Sequence, residues 1–479
     1  MKNIKPISLK AVVLLLATAF AAYSCKKDDA AQAYTLTITP EVLYYRLGET
    51  QTVSYVKSSN ISGLIIASVP EGWNAVLNPS NNTLTVTAPD TYEADAPTDD
   101  DETPTAEYGT VVLRGTVGDR TASAALWVTL REREDLTGQY ANCFIIDKPL
   151  TGYFISAARP DGSAVEGISS ADAVWMSGDS NLIRFVEYKD GKIAFRTTSD
   201  DNDEPVEGNA LLAARDSKGN ILWCWHLWVT KGAPEANAVT LNGHTFMGCN
   251  LGAFANATDN DEQILASYGL YYQWGRPTPF PRPRYYNCAD SESEPLYSGN
   301  DSYTMPSMKS RAADSDNSTM ASAIANPLVF VTGLTAPWSN AGSTWNDSAK
   351  SLYDPCPKGW RVPSADAFAG LMIDGEELAA DPESLREAYG WTLTDGEQSA
   401  FFFAGGRRSY LDGSVANMNT QENPQPWEGF YWTTSLDSSR QKAAGLFFDL
   451  NTVDATASRL TDARQLQLSN GLQIRCVKE

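Results

Sequence analysis

The stretch Tyr353-Asp-Pro-Cys-Pro-Lys-Gly-Trp-Arg-Val-Pro-Ser364 decides how the chain is read. Two prolines flank a cysteine, and Lys-Gly-Trp follows; prolines fix φ and glycine opens the left-handed region, so a sharp turn carrying an aromatic plug is expected. Val362-Pro-Ser364 then offers a helix start, with Ser364 placed to cap a run over Ala365–Met372. The chain ends in Ile474-Arg-Cys-Val-Lys-Glu479, so Cys356 and Cys476 bracket the final 120 residues.

Working back from this turn, Tyr268-Gly-Leu-Tyr-Tyr-Gln-Trp-Gly-Arg276 alternates aromatics as a strand would, and Gly275-Arg-Pro-Thr-Pro-Phe-Pro-Arg-Pro-Arg284 bars regular structure. From there to Asn340 the chain is rich in Ser, Asn and Asp, a composition of long loops, where compact scaffolds hold recognition. Asp381-Pro-Glu-Ser-Leu-Arg-Glu-Ala-Tyr-Gly390 reads as a short helix with Asp381 as cap, Pro382 at its first position and Gly390 as stop.

Together with Asn250-Leu-Gly-Ala253, Phe403-Ala-Gly-Gly406, Tyr431-Trp-Thr-Thr-Ser435 and the Arg-Cys-Val end, these blocks resemble, over residues 236–479, the family called the Fibrobacter succinogenes major paralogous domain. The resemblance implies a C-type-lectin-like fold, a loop-rich, disulfide-closed α+β module of bacterial surfaces with no shared catalytic residues. It also singles out Cys356–Cys476 as bonded; without it, the six cysteines that remain when Cys25 is set aside allow fifteen pairings. A crosslink of that length stabilises by roughly 4–5 kcal/mol at its upper end. Cys249–Cys288 is a pairing by neighbourhood, and Cys143 and Cys224 read as buried free thiols in facing strands.

At the start, Lys2, Lys5 and Lys10 precede the apolar run Ala11–Ala22 and then Ala22-Tyr-Ser-Cys25. A basic head, about a dozen apolar residues and small residues before the cut mark a secretory signal too short to span a bilayer comfortably. Ala-Tyr-Ser-Cys resembles a lipoprotein cleavage box, which implies a signal peptide over 1–24, acylation of Cys25 and a tether over 25–33. Lys26-Lys-Asp-Asp29 is similar to the tag that sends lipoproteins of Bacteroidetes-type bacteria to the outer face of the outer membrane. Cleavage removes three lysines and moves the formal charge from −22 to −25, which argues against nucleic-acid partners.

Between the ends, 479 residues suffice for several cores. Residues 34–131 carry short β-branched runs such as Thr83-Leu-Thr-Val-Thr87 and Ala124-Ala-Leu-Trp-Val-Thr-Leu130, which predict a β-sandwich similar to the BACON and other immunoglobulin-like modules. The acidic Glu93–Glu102 reads as a hairpin tip, since it lacks the glycine-punctuated pattern of a calcium loop. Residues 134–233 form a second β-rich module. Asp190-Gly191 predicts a hairpin there, and Ile221-Leu-Trp-Cys-Trp-His-Leu-Trp-Val229, apolar on both faces, reads as a buried central strand rather than a sugar-stacking platform. The fold class expected is mainly β and multidomain: two β-sandwich-like modules, then an α+β lectin-like domain.

Chemistry is sparse. The chain has two histidines, His226 and His244, both in strand-like segments, and neither a nucleophile triad, a zinc pattern nor a phosphate loop is evident, so no enzyme activity is expected. Calcium-dependent lectins, which the fold resembles, carry Glu-Pro-Asn and Trp-Asn-Asp motifs; Glu422-Asn-Pro424 is scrambled and Trp345-Asn-Asp347 precedes the cysteine turn, so no cofactor is expected and calcium lacks a motif. Ligand contacts are expected instead from Arg407, Arg408, Tyr410, Trp427 and Tyr431, with Trp432 in the core. The function expected is non-catalytic binding or adhesion by an outer-membrane, cell-surface lipoprotein. Its ligand would be a glycan or a host or partner protein; the alternative is a structural part of a surface fibre or membrane complex.

Overall fold

The computed structural model describes residues 34–90, 108–130, 133–200, 202, 204–232, 234–286, 293–299, 305–333, 344–373, 389–416, 427–450 and 460–479. The signal, Cys25, the acidic tip at 93–102, Cys288, the helix expected over 381–388 and the Glu-Asn-Pro at 422–424 lie outside the described residues. The protein is mainly β and divides into two compact units, residues 1–130 and 131–479.

In the first unit, two four-stranded sheets face each other. One runs in the order Leu36–Thr39, Thr50–Lys57, Thr83–Thr87, Asn74–Asn78; the other Val42–Tyr45, Arg120–Leu130, Tyr108–Val117, Ser62–Ser68. Period-2 alternation produces this: in Thr83–Thr87 the two apolar residues, Leu84 and Val86, are buried, whereas its outward threonines pair with Thr50 and Thr52 across the ladder at 2.9 Å. Tyr45 meets Trp73 edge-on at 5.1 Å inside the sandwich.

The second unit holds both remaining stretches, and its largest hydrophobic cluster spans them. Its first sheet orders Cys143–Ile146, Ile221–Val229, Gly208–Arg215 and Ser170–Met176; its second orders Ile183–Lys189, Lys192–Thr197, Gly152–Ser156 and Arg133–Asp135. Asp190 and Gly191, both at positive φ, make the predicted hairpin turn. The tryptophan-rich strand is central and buried: Trp225 donates to the carbonyl of Ala158, and Trp228 to that of Ala253 in the later stretch. Asn209 bonds both His226, at 2.8 Å, and the carbonyl of Gly252. Residues 134–233 and 236–479 thus share one hydrophobic cluster running from Cys143 to Cys476, and the boundary expected near 233–236 falls within it.

The quoted turn is the hub of that cluster. The Asp354 carboxylate accepts from the Cys356 and Val362 amides, each at 2.9 Å, and from Lys350 Nζ, which also donates to the carbonyls of Cys356 and Trp360. Asn142 reaches over from the first sheet to donate to the carbonyls of Leu352 and Asp354, and Cys143 bridges to Pro357. Cys356 and Cys476 are bonded. That bond lies beside the small sheet ordered Val239–Leu241, His244–Phe246, Val477–Lys478, Trp360–Arg361, so the chain's end is held against the turn. Cys143, Cys224 and Cys249 are free and buried, so the Cys249–Cys288 pairing is not made; Cys249 packs into the shared core instead.

Two local expectations fail for packing reasons. Ala365–Phe368 is one 3-10 turn without a side-chain cap from Ser364, because the chain goes on to pair Met372–Ile373 with Leu393–Thr394 as strands. Gly390 begins the strand Gly390–Thr394 in that same sheet. Tyr268–Trp274 contributes only Tyr272–Gln273 as strand, since the helix Asp261–Ser267 runs up to it and Gly269 turns at φ 71°. A Cβ there would stand 2.6 Å from the carbonyl of Leu251.

Candidate functional site

Three arginines of the quoted blocks, Arg276, Arg408 and Arg475, are fully buried. Backbone carbonyls hold them: Arg408 donates to Pro281 and Gly413, and Arg475 to Met247 and Phe401 as well as to the Asn250 amide oxygen. Arg276 donates to Ala323 and Val329 and lies over Phe280 at 4.7 Å; burial lowers its pKa to about 9. These side chains build the scaffold.

The expected ligand residues divide accordingly. Arg408 is committed as above, Trp427 donates to the carbonyl of Ala404 at 2.6 Å, and Tyr431 donates to that of Phe403 at 2.9 Å. All three are buried, so they brace the Phe403-Ala-Gly-Gly406 block from within and present no surface to a ligand. Trp432 is buried as expected. Arg407 and Tyr410 are half-buried and near enough to act on each other electrostatically, so they share one patch.

That patch is completed by residues the sequence reading missed. Glu428–Leu436 pairs antiparallel with Lys442–Asp449, which pairs with the edge strand Leu460–Gln467; the register sets Glu428 directly opposite Asp449. On the same face Phe430 meets Phe447 at 5.2 Å, the Arg407 guanidinium lies 5.0 Å from the Phe430 ring, and that of Arg464 3.7 Å from Phe447. Both lie within cation–π range, which restrains the guanidinium groups over the rings. Desolvation, then the neighbouring Asp449, push the Glu428 carboxyl up to about 7, while Arg464 and Arg407 act against both. Burial likewise lowers the pKa of Arg407. Near neutral pH the patch therefore offers rigid donors beside a carboxyl that both gives and accepts a proton.

Glu428 has a pH signature. Its folded pKa lies above the unfolded value, so its contribution to stability is complete below about 4.5 and disappears as pH rises through about 7. Glu428→Gln should flatten the fall in Tm between about pH 5 and 8 and be the more stable protein at the upper end. His226, lowered to about 3 by burial, has the opposite sign, its stabilisation being lost on acidification, and it cancels between the two proteins. Equal pH profiles for wild type and variant would show that Glu428 ionises normally.

The Trp345-Asn-Asp347 segment is structural: Asp347 accepts from Thr434 and Ser435. His244 faces Asp366 at 3.3 Å on the surface. Among the described residues no helix is long and apolar enough to cross a membrane, and no group of three or more His, Cys, Asp or Glu side chains is placed to hold a metal ion.

No family model and no curated protein matches the chain. Solved structures similar to it include the D00-D0 domain of intimin, at 12% identity over 41% of this chain and 96% of that one with a TM-score of 0.16. Extracellular cadherin domains 1-4 of protocadherin gamma B7 align at 12% identity over 41% and 50%, TM-score 0.15. An endo-fucoidan hydrolase of glycoside hydrolase family 107 aligns at 12% identity over 40% of this chain, which spans 28% of the hydrolase, TM-score 0.14. Alignments of this strength constrain neither strand order nor function.

Proposed function

We propose that the chain is an outer-membrane, cell-surface lipoprotein anchored through Cys25, and that its 236–479 stretch is a lectin-like module binding a glycan or a partner protein. The observation that supports binding through the Arg407, Tyr410, Glu428, Asp449 and Arg464 patch is the pair of guanidinium groups stacked on Phe430 and Phe447 beside opposed carboxyls. Paired donors and acceptors braced against aromatic rings suit hydroxyl-rich or charged partners, because less ordering entropy remains to be lost on contact. Since 134–233 shares a core with the later stretch, the full chain is the proper probe.

The test sets the wild-type chain beside an Arg407→Ala/Arg464→Ala variant on a glycan array and in cross-linking on intact cells. Binding to a glycan or a surface protein should fall roughly tenfold or more in the variant, the loss of one to two charge-assisted contacts. A wild-type chain that captures nothing in either format sinks the reading, and so does capture that the variant leaves untouched.

A further inference from the structure

A cleft lined by none of the patch residues lies in the Ser/Asn/Asp-rich stretch. Lys309–Ala312 and Val329–Thr332 pair in parallel, joined through the helix Met320–Ala325, and a cleft of about 220 Å3 opens among the loop after the first strand, the helix and the second strand. Its shape is preformed. Asp314 accepts from the Asp316 and Asn317 amides, Asn317 returns a bond to the Asp314 amide and donates to the carbonyl of Ala312, and Thr319 caps the helix. From beneath, Arg276 holds the carbonyls of Ala323 and Val329. The polar groups at the mouth, from Arg311, Asp316, Ser322 and Asn326, are exposed or half-exposed.

We infer that this cleft binds a single neutral sugar unit, free or at the end of a chain, without calcium. The planar Arg311 guanidinium and Asp316 carboxylate can each reach two neighbouring hydroxyls at once, which is the recognition a vicinal diol permits. The lining carries no aromatic ring, so there is no platform along which several stacked sugars would lie. Its volume falls below the roughly 300–1,000 Å3 of drug-sized sites, which fits one ring. One arginine against two aspartates leaves no positive field to favour a uronate or a sulfated sugar.

The experiment titrates the full chain with methyl glycosides of neutral hexoses and N-acetylhexosamines, and with glucuronate and sialic acid, followed by NMR saturation transfer with and without EDTA. At least one neutral sugar should bind saturably, unchanged by EDTA. Arg311→Ala and Asp316→Ala should each weaken it roughly tenfold at an unchanged unfolding midpoint, while Arg120→Ala, exposed on the first unit, leaves it as it was. No saturable neutral sugar, preference for the acidic ones, loss on EDTA, or binding indifferent to both cleft substitutions would each overturn the inference. Binding lost in Arg464→Ala and kept in the cleft variants would do so too, while leaving the patch as a glycan site.

Discussion

Asp354→Ala should destabilise the 131–479 unit by about 3–5 kcal/mol, seen as a lower urea midpoint at unchanged slope in tryptophan fluorescence. The side chains of Lys350 and Asp354 are 12% and 3% exposed, so removal of the carboxylate leaves a buried ammonium and strips the Cys356 and Val362 amides of their acceptor. The cost is that of orphaned groups rather than of the ion pair as such. Lys350→Met with Asp354→Leu should therefore recover part of the loss, although the two amides remain without the carboxylate. A double variant no better than Asp354→Ala would place the whole effect in the amides. A single variant within about 0.5 kcal/mol of wild type, the range of ordinary surface changes, would show that the turn stands without either.

The same residues explain what the sequence disclosed. Hairpins and the first sandwich were legible because their signals are local: Asp190-Gly191 needs positive φ at both positions, and Thr83–Thr87 alternates strictly. The tryptophan strand was legible as buried because apolar residues occupy both of its faces, though nothing local said that one face would meet Ala253 and the other Ala158. Aromatic and arginine-rich blocks misled in the opposite direction. Arg408, Trp427 and Tyr431 look like ligand groups by type, yet loop-rich folds leave many backbone carbonyls without sheet partners, and long donors buried among them satisfy that need. The patch itself could not be read. Glu428 and Asp449 are brought opposite only by the register of their hairpin, and Arg464 by a bulged third strand. The available signal was weak but real: Glu428-Gly-Phe430 and Phe447-Phe-Asp449 are mirror-image runs, acid outermost and phenylalanine two residues inward, as an antiparallel pair requires.

Replacing both Cys356 and Cys476 by serine should remove up to about 4–5 kcal/mol, the upper end for a loop of this length, and should act more on the unfolded chain than on native contacts. The bond is the only disulfide among the described residues, and it ties the turn to the strand Val477–Lys478, which lies between His244–Phe246 and Trp360–Arg361. Without it, a two-residue strand at the chain's end must hold two segments by a few ladder bonds, and fraying there releases Arg475 from Asn250 and Phe401. Non-reducing peptide mapping should find Cys356 joined to Cys476. In the folded protein, Cys143, Cys224 and Cys249 should stay unlabelled by iodoacetamide at neutral pH, since burial raises all three thiols, Cys224 to about 12 and Cys249 to about 11. Labelling of these thiols should then appear at lower urea in the double serine variant than in wild type, tracking the loss of the closure. Identical labelling profiles for the two proteins would mean that the terminal strand is held by packing alone, and that the crosslink contributes nothing to the unit it closes.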